Sequence, residues 1–274
     1  MWGLSSAVLV GAAGLLASVF AGGAARADVV RIGGTGAGTI TLAAIAEQAA
    51  AGSGVVLQPL PSLGSAGGMR ALNAGRIDLA ILGRAMMPDE AKSGARVVAE
   101  IRTPFVFVTS LSAAPVMTGA EIVEAFGNQR ARWRDGGPIA LVLRQRTDGD
   151  AILLNTMLAG MDAALEQART RPEVLVSVVD DDNADLAERT KGSLATMSYN
   201  QLMVESRKLR AIAINGVAPS LKAYEDGSYP YGRPFYLVVP ATPSAATMRF
   251  VAFLQSERGQ DVLRGVHSVL GRAP

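Results

Sequence analysis

Leu141-Val142-Leu143-Arg144-Gln145-Arg146-Thr147-Asp148-Gly149-Asp150 runs directly into Ala151-Ile152-Leu153-Leu154-Asn155. The apolar residues ending at Arg144 read as a buried β run, the next few as a polar turn, and the rest as an amphipathic helix. Its first turn carries two acids. A helix that starts straight after a strand gathers unpaired backbone N–H groups and the positive end of a dipole. Arg144, at the strand end, faces the same point. Such a corner holds negative charge, and two owners are open: a ligand, or Asp148 and Asp150 themselves.

The same strand–turn–helix unit recurs upstream. Val29 to Gly33 reads as a strand, Gly34-Thr35-Gly36-Ala37-Gly38-Thr39 as a glycine-rich loop, and Ile40 to Ala51 as a helix. The spacing Gly34-x-Gly36-x-Gly38 is not the dinucleotide fingerprint, and no acid follows at the end of the next strand. The loop is either a tight turn or a backbone cradle for a ligand. Val55 to Leu60 is a second strand, followed by Ser62-Leu63-Gly64-Ser65-Ala66-Gly67-Gly68 as a small-residue loop and Met69 to Ala74 as a short helix. Ser65 either caps that helix or offers its hydroxyl to an anion. Ile77 to Leu82 is a third strand, closed by Gly83-Arg84. Three such units predict an α/β fold with a parallel, doubly wound sheet, whose ligands sit at the carboxyl ends of the strands. Gly38, Thr39, Ser65 and Arg84 fall at those ends, Arg84 as a surface residue or an anion clamp.

Further on, Val97 to Ile101 and Phe105 to Thr109 are apolar β runs around Thr103-Pro104. Thr118 and Glu121 have capping-box spacing for a helix through Phe126. Phe126 to Gly136 is basic with one tryptophan, Trp133, and reads as a solvated loop with an aromatic plug. Asp162 to Arg171 reads as an exposed helix and Val174 to Val179 as a strand. Asp180-Asp181-Asp182 reads as a solvated turn: adjacent acids point in different directions and lack the spacing of a calcium loop. Ala184 to Lys191 is a helix, Ser193 to Tyr199 and Arg210 to Ile214 are strands, and Tyr224 to Pro230 is a turn-rich loop. Pro234 to Val239 is a strand, and Ala245 to Gln255 and Gly259 to Gly265 are closing helices. His267, alone, reads as structural.

Composition narrows the function. The chain has 274 residues, 49% hydrophobic and 18% charged, enough for a large core or two lobes. It has no cysteine, which removes disulfides, thiolate metal sites and thiol nucleophiles. A net charge of +2 with scattered bases argues against nucleic acid and anionic membrane as partners. Ala7 to Phe20 is an apolar run and Ala25-Arg26-Ala27 fits a small-x-small cleavage site. Residues 1–27 are therefore expected to be a secretory signal peptide cut after Ala27, placing the protein in the periplasm. An uncleaved anchor is the alternative, although the run is shorter than the ~20 residues of a membrane span.

With these pieces in order, the chain resembles the periplasmic phosphate-binding proteins of ABC transporters, within the type 2 periplasmic binding fold. The resemblance rests on Gly36-Ala37-Gly38-Thr39, Gly64-Ser65-Ala66-Gly67-Gly68, Asp78-Leu79-Ala80 with Arg84, Phe126-Gly127, Trp133-Arg134-Asp135-Gly136 and Arg144 with its turn. Asn215-Gly216-Val217, Asp226 to Pro230, Arg233-Pro234-Phe235-Tyr236, Ser256 and Gly259-Gln260 complete it. It implies two α/β lobes, each a doubly wound sheet flanked by helices, joined by two crossing strands and closing on an oxyanion. Residues 28–109 with 208–274 are the expected first lobe and 110–207 the second.

By resemblance, Thr39 supplies the first-loop hydroxyl, Ser65 the second, and Arg144 is the family arginine. Gly38, Arg84, Asp148, Gly149 and Asp150 complete the expected ligand site. Two departures stand out. Asp148-Gly149-Asp150 replaces a Ser-Gly-Thr turn, and Gly83 falls where the family's proton-accepting acid belongs. Two carboxylates within ~5 Å of a dianion repel it by several kcal/mol at modest effective dielectric. Three readings stand: Asp148 caps its own helix and points away; one carboxylate accepts from a protonated oxyanion; or the ligand is neutral or amine-bearing rather than phosphate. The expected protein is a non-catalytic, monomeric solute-binding protein. Its expected partners are a small-molecule or inorganic anion and ABC-transporter membrane subunits, with no metal or cofactor. A sensor that kept the fold and lost the ligand is the remaining alternative.

Overall fold

The computed structural model describes residues 28–113 and 115–271, so the expected signal peptide lies outside the described residues. Strand β1 (Asp28–Gly34) turns directly into α1 (Gly36–Ala44), then α2 (Ala46–Ser53) and β2 (Val55–Pro59). The glycine-rich segment is thus the first turn of a helix, not a loop through Thr39. The reason is steric. Gly34 has φ 145°, and a Cβ on it would lie 1.9 Å from the Ile81 carbonyl oxygen. A Cβ on Gly38 would meet the Ile81 side chain at 2.7 Å. The glycines let α1 lie flat on the sheet. The second small-residue loop is likewise the start of α3 (Gly64–Asn73), where a Cβ on Gly68 would come within 2.8 Å of the Gly34 backbone.

Next come β3 (Leu79–Leu82), α4 (Pro88–Ala91) and β4 (Arg96–Thr109). The two apolar runs around Thr103-Pro104 form this one 14-residue strand. Pro104 is tolerated because it stands at the end of the ladder with β11, opposite Gly232, just before β8 takes over as partner at Phe105. Then follow β5 (Val116–Met117), α5 (Gly119–Gly127), β6 (Ala140–Arg144), α6 (Gly149–Met157), α7 (Met161–Arg169), β7 (Leu175–Ser177), α8 (Asp180–Arg189) and β8 (Ser193–Ser198). The capping box forms as expected: Thr118 Oγ1 accepts from the Glu121 N–H, and Glu121 accepts from the Thr118 N–H. Helix α7 is amphipathic rather than exposed, burying Met161, Ala164, Leu165 and Ala168. The chain ends with α9 (Tyr199–Val204), β9 (Arg210–Ala211), β10 (Ala213–Ile214), α10 (Leu221–Glu225), β11 (Gly232–Val239), α11 (Ala245–Gln255), α12 (Glu257–Gly265) and β12 (Val269–Leu270).

The main sheet runs in the order β2-β1-β3-β11-β4-β8-β6-β7. Parallel pairs β1·β2 and β1·β3 build one end, and β6·β8 and β6·β7 the other. Strand β4 joins them, antiparallel to β11 from Arg96 to Pro104 and to β8 from Phe105 to Val108. Apolar side chains divide at the same point. Val30, Ile32, Leu79, Ile81, Ile101, Phe235 and Phe250 share one core, extended by a satellite around Met69 and Leu72. Phe105, Phe107, Phe126, Leu143, Leu165, Leu194 and Met197 share the other. Leu209, Ile212, Ile214 and Tyr229 belong to this second core. Residues 209–229, expected in the first lobe, contribute these four buried side chains to that core.

Two segments cross between the halves side by side, with the Phe105 N–H donating to the Tyr231 carbonyl at 2.9 Å. The Tyr229 hydroxyl donates to the Phe105 carbonyl at 2.9 Å. At the crossing, Thr103 Oγ1 donates to the His267 carbonyl and accepts from the Asn200 N–H. His267 acts through its backbone and an edge contact with Tyr199, a structural role. Trp133 is buried as a plug, its Nε1 donating to the Gly192 carbonyl at 2.9 Å.

Candidate ligand-binding site

The carboxyl ends of β1, β3, β6 and β7 meet between the two halves, bringing together the starts of α1, α3, α6 and α8. In the first half, Thr35 caps α1 in extended conformation, so the N–H groups of its first turn point into the gap. In the second, Arg144 ends β6 and Asp148 caps α6, its Oδ1 accepting from the Asp150 N–H at 2.9 Å. Asp148 is not turned away. It also takes Arg144 in a two-pronged grip, from Nε at 3.2 Å and from Nη2 at 2.6 Å. The negative charge at this corner is the chain's own.

Asp180 does more. The triple-aspartate segment is no solvated turn: Asp180 is the first residue of α8 and only 4% exposed. Its Oδ2 accepts from Thr35 Oγ1 at 2.9 Å and from the Ala37 N–H at 3.1 Å, across the gap. Its Oδ1 lies 3.6 Å from Arg144 Nη2 and 3.8 Å from Arg233 Nη2. The start of α1 therefore already holds an oxyanion, which is a side chain of this protein. Burial, then the charge of Asp148, push the Asp180 carboxyl above the usual aspartate range; Arg144, the Ala37 N–H and Thr35 pull the other way.

Arg233 is 1% exposed and forms an ion pair with buried Asp150 across the gap. Its guanidinium also lies over the Phe235 ring, 5.0 Å from the centroid. Burial lowers its pKa to about 10. It stands beside Gly83, where a Cβ would come within 2.9 Å of Arg233 Nη2. The place expected to lack an acid is thus filled by a base. Arg144 and Arg233 face Asp148, Asp150 and Asp180, so this inner cluster carries one negative charge in excess when all five are ionised.

The other expected residues divide. Thr39 is buried, but its hydroxyl donates to the Gly36 carbonyl at 2.8 Å inside α1; the hydroxyl that reaches the cluster belongs to Thr35. Gly38 packs on Ile81 and does not face the gap. Ser65 Oγ accepts from the Gly83 N–H at 3.0 Å. Arg84 is held by Glu90 at 2.8 Å rather than clamping the gap. Gly149 touches Gly83 across it. Ser65, Arg84, Asp148 and Gly149 line an outer cavity of about 910 Å³, above the inner cluster. Among the described residues no group of acids and histidines has metal-binding geometry.

Residues 21–258 match the model of a PBP superfamily domain. The chain belongs to the PBP superfamily. The fold of this PBP protein agrees with solved structures across nearly its whole length. A phosphate ABC transporter substrate-binding protein from Clostridium perfringens, solved with bound phosphate, superposes with a TM-score of 0.74 at 18% identity, covering 89% of this chain and 100% of that one. An ABC-type phosphate transport receptor from Vibrio cholerae gives 0.59 at 16% identity, covering 89% and 100%. Phosphate-binding protein PstS 2 of Streptococcus pneumoniae is 26% identical over 141 residues, which is 51% of this chain and 48% of that protein. The match thus spans about half the length of that curated relative. No helix among the described residues is long and apolar enough to cross a membrane.

Thr35, Asp180 and Arg233 are the site residues that sequence reasoning missed. Each had a signal. Asp180 directly follows the apolar run Val174 to Val179, the same strand-to-helix corner as Arg144 to Asp148. Arg233 opens a run of buried strand residues, and an arginine there needs a partner.

Proposed function

We propose that this protein is an exported solute-binding protein. It would close its two lobes on a small solute bearing an oxyanion, phosphate or a related group, and present it to the membrane subunits of an ABC transporter. The observation that carries this reading is the Asp180 carboxylate seated on the first turn of α1 between two buried guanidinium groups. That seat has the parts an oxyanion needs: backbone N–H, hydroxyl and fixed positive charge in a place shielded from water. Residues 28–104 with 232–271 would form one lobe and 105–231 the other, following the two cores. Residues 1–27 would direct export. Calorimetric titration of the purified protein with phosphate, sulfate, arsenate and small organic carboxylates tests the proposal. Saturable heat without turnover is expected, and silence toward every anion would sink it.

A second reading, a solute other than bare phosphate, is favoured by one observation. Asp148 already engages Arg144 through two hydrogen bonds, so the arginine equivalent to the family's is not free for a dianion. The same titration separates the two by which anion releases heat.

A further inference from the structure

We infer that the outer cavity takes an organic monoanion with an apolar body, a monocarboxylate of several carbons rather than an inorganic oxyanion. The inference rests on the solute-binding reading above and names the class of solute. Four of the ten large apolar side chains left exposed among the described residues line this one cavity. Leu63 (40% exposed) and Met87 (54%) stand on one wall of the cavity, in the first lobe. Ile152 (48%) and Val178 (58%) stand on the other, in the second. Two lobes that present apolar walls to a shared gap keep a contiguous hydrophobic surface wet until something covers it. A cavity of about 910 Å³ is far larger than a phosphate-sized anion fills.

Charge fixes the other end of the solute. Arg70, Arg84 and Arg146 line the cavity, against one carboxylate, Asp148, which is already bonded to Arg144. Glu90 holds Arg84 and Glu166 holds Arg146, leaving Arg70 without a carboxylate among the described residues. Below, the Asp180 carboxyl occupies the inner oxyanion seat on Thr35 and the Ala37 N–H, so an incoming anion is held at the outer level. The volume of about 910 Å³ lies within the roughly 300–1,000 Å³ of organic-ligand sites.

The test is a chain-length series. Acetate, butanoate, hexanoate and octanoate are titrated into the full-length protein beside inorganic phosphate and octylamine. Affinity is expected to rise about two- to fourfold per methylene, as burial of each CH₂ requires, with octylamine at least about tenfold weaker than octanoate. Ile152→Ser combined with Val178→Ser should flatten the slope, and Arg70→Gln should weaken all carboxylates alike. These side chains are surface-exposed, so the variants keep the fold. Phosphate binding with no rise along the series would overturn this inference and leave the solute-binding reading standing. Silence toward all of these anions would remove both.

Discussion

Gly149 lies against Gly83 across the gap so closely that a Cβ on it would come 2.2 Å from the Gly83 carbonyl oxygen. The two glycines come from opposite halves, one opening α6 and the other ending β3. Their contact measures how fully the halves have closed. Gly149→Ala should hold them more than about 1 Å further apart, since ordinary contact begins near 3.4 Å. Position 149 does not have a positive φ, so alanine is acceptable to the backbone. Small-angle scattering should report a larger radius of gyration, and anion affinity should fall. A variant that matches wild type in both measurements would show that this closed contact is dispensable.

Asp148→Ser should raise phosphate affinity by about tenfold or more, because it removes a carboxylate and frees Arg144. Serine still caps a helix, so α6 should persist. Asp148→Ala is the control: it frees Arg144 as well but loses about 1 kcal/mol of cap. Calorimetry compares the three proteins. Equal phosphate affinity in all of them would count against Arg144 as an anion ligand.

Asp150→Ala leaves Arg233 buried beside Gly83 without its nearer carboxylate, keeping only the 3.8 Å contact with Asp180. Stripping one member from a buried pair destabilises by about 3–5 kcal/mol. Replacing both, Asp150→Leu with Arg233→Met, should recover most of that loss, since the desolvation of both charges disappears. Urea unfolding of the two variants decides it; a double variant as unstable as the single one would contradict the pairing.

The elevated Asp180 carboxyl gives a pH signature. Because its pKa is higher in the folded chain, its contribution to stability is present below the ordinary aspartate range and is lost as pH rises through the raised value. Asp180→Asn cannot ionise. The melting temperature of the variant minus that of wild type should therefore grow as pH is raised from about 4 to about 8. Parallel curves over that window would refute the assignment.

Much of this architecture is legible in the sequence, and the reasons are local. Apolar runs bounded by glycine and proline mark β1, β6, β8 and β11, and Ala245 to Gln255 matches α11 end for end. What periodicity does not reveal is where small residues serve packing. Gly36 to Thr39 and Gly64 to Gly68 look like loops, yet become helix starts because α1 and α3 must touch the sheet directly. The site is legible by halves. Arg144 and Asp148 are four residues apart on one corner, so their pairing is a local event. Asp180 reaches Thr35 across 145 positions and Arg233 meets Asp150 only once the halves close. No reading of single segments brings those partners together.

Strand β4 is continuous, and contributes Ile101 to one core and Phe105 to the other as its pairing passes from β11 to β8. Neither half can melt without stripping paired neighbours from a strand that the other half needs. Heating should therefore produce one cooperative transition, despite the two cores, and proteolysis should not release a stable fragment from either.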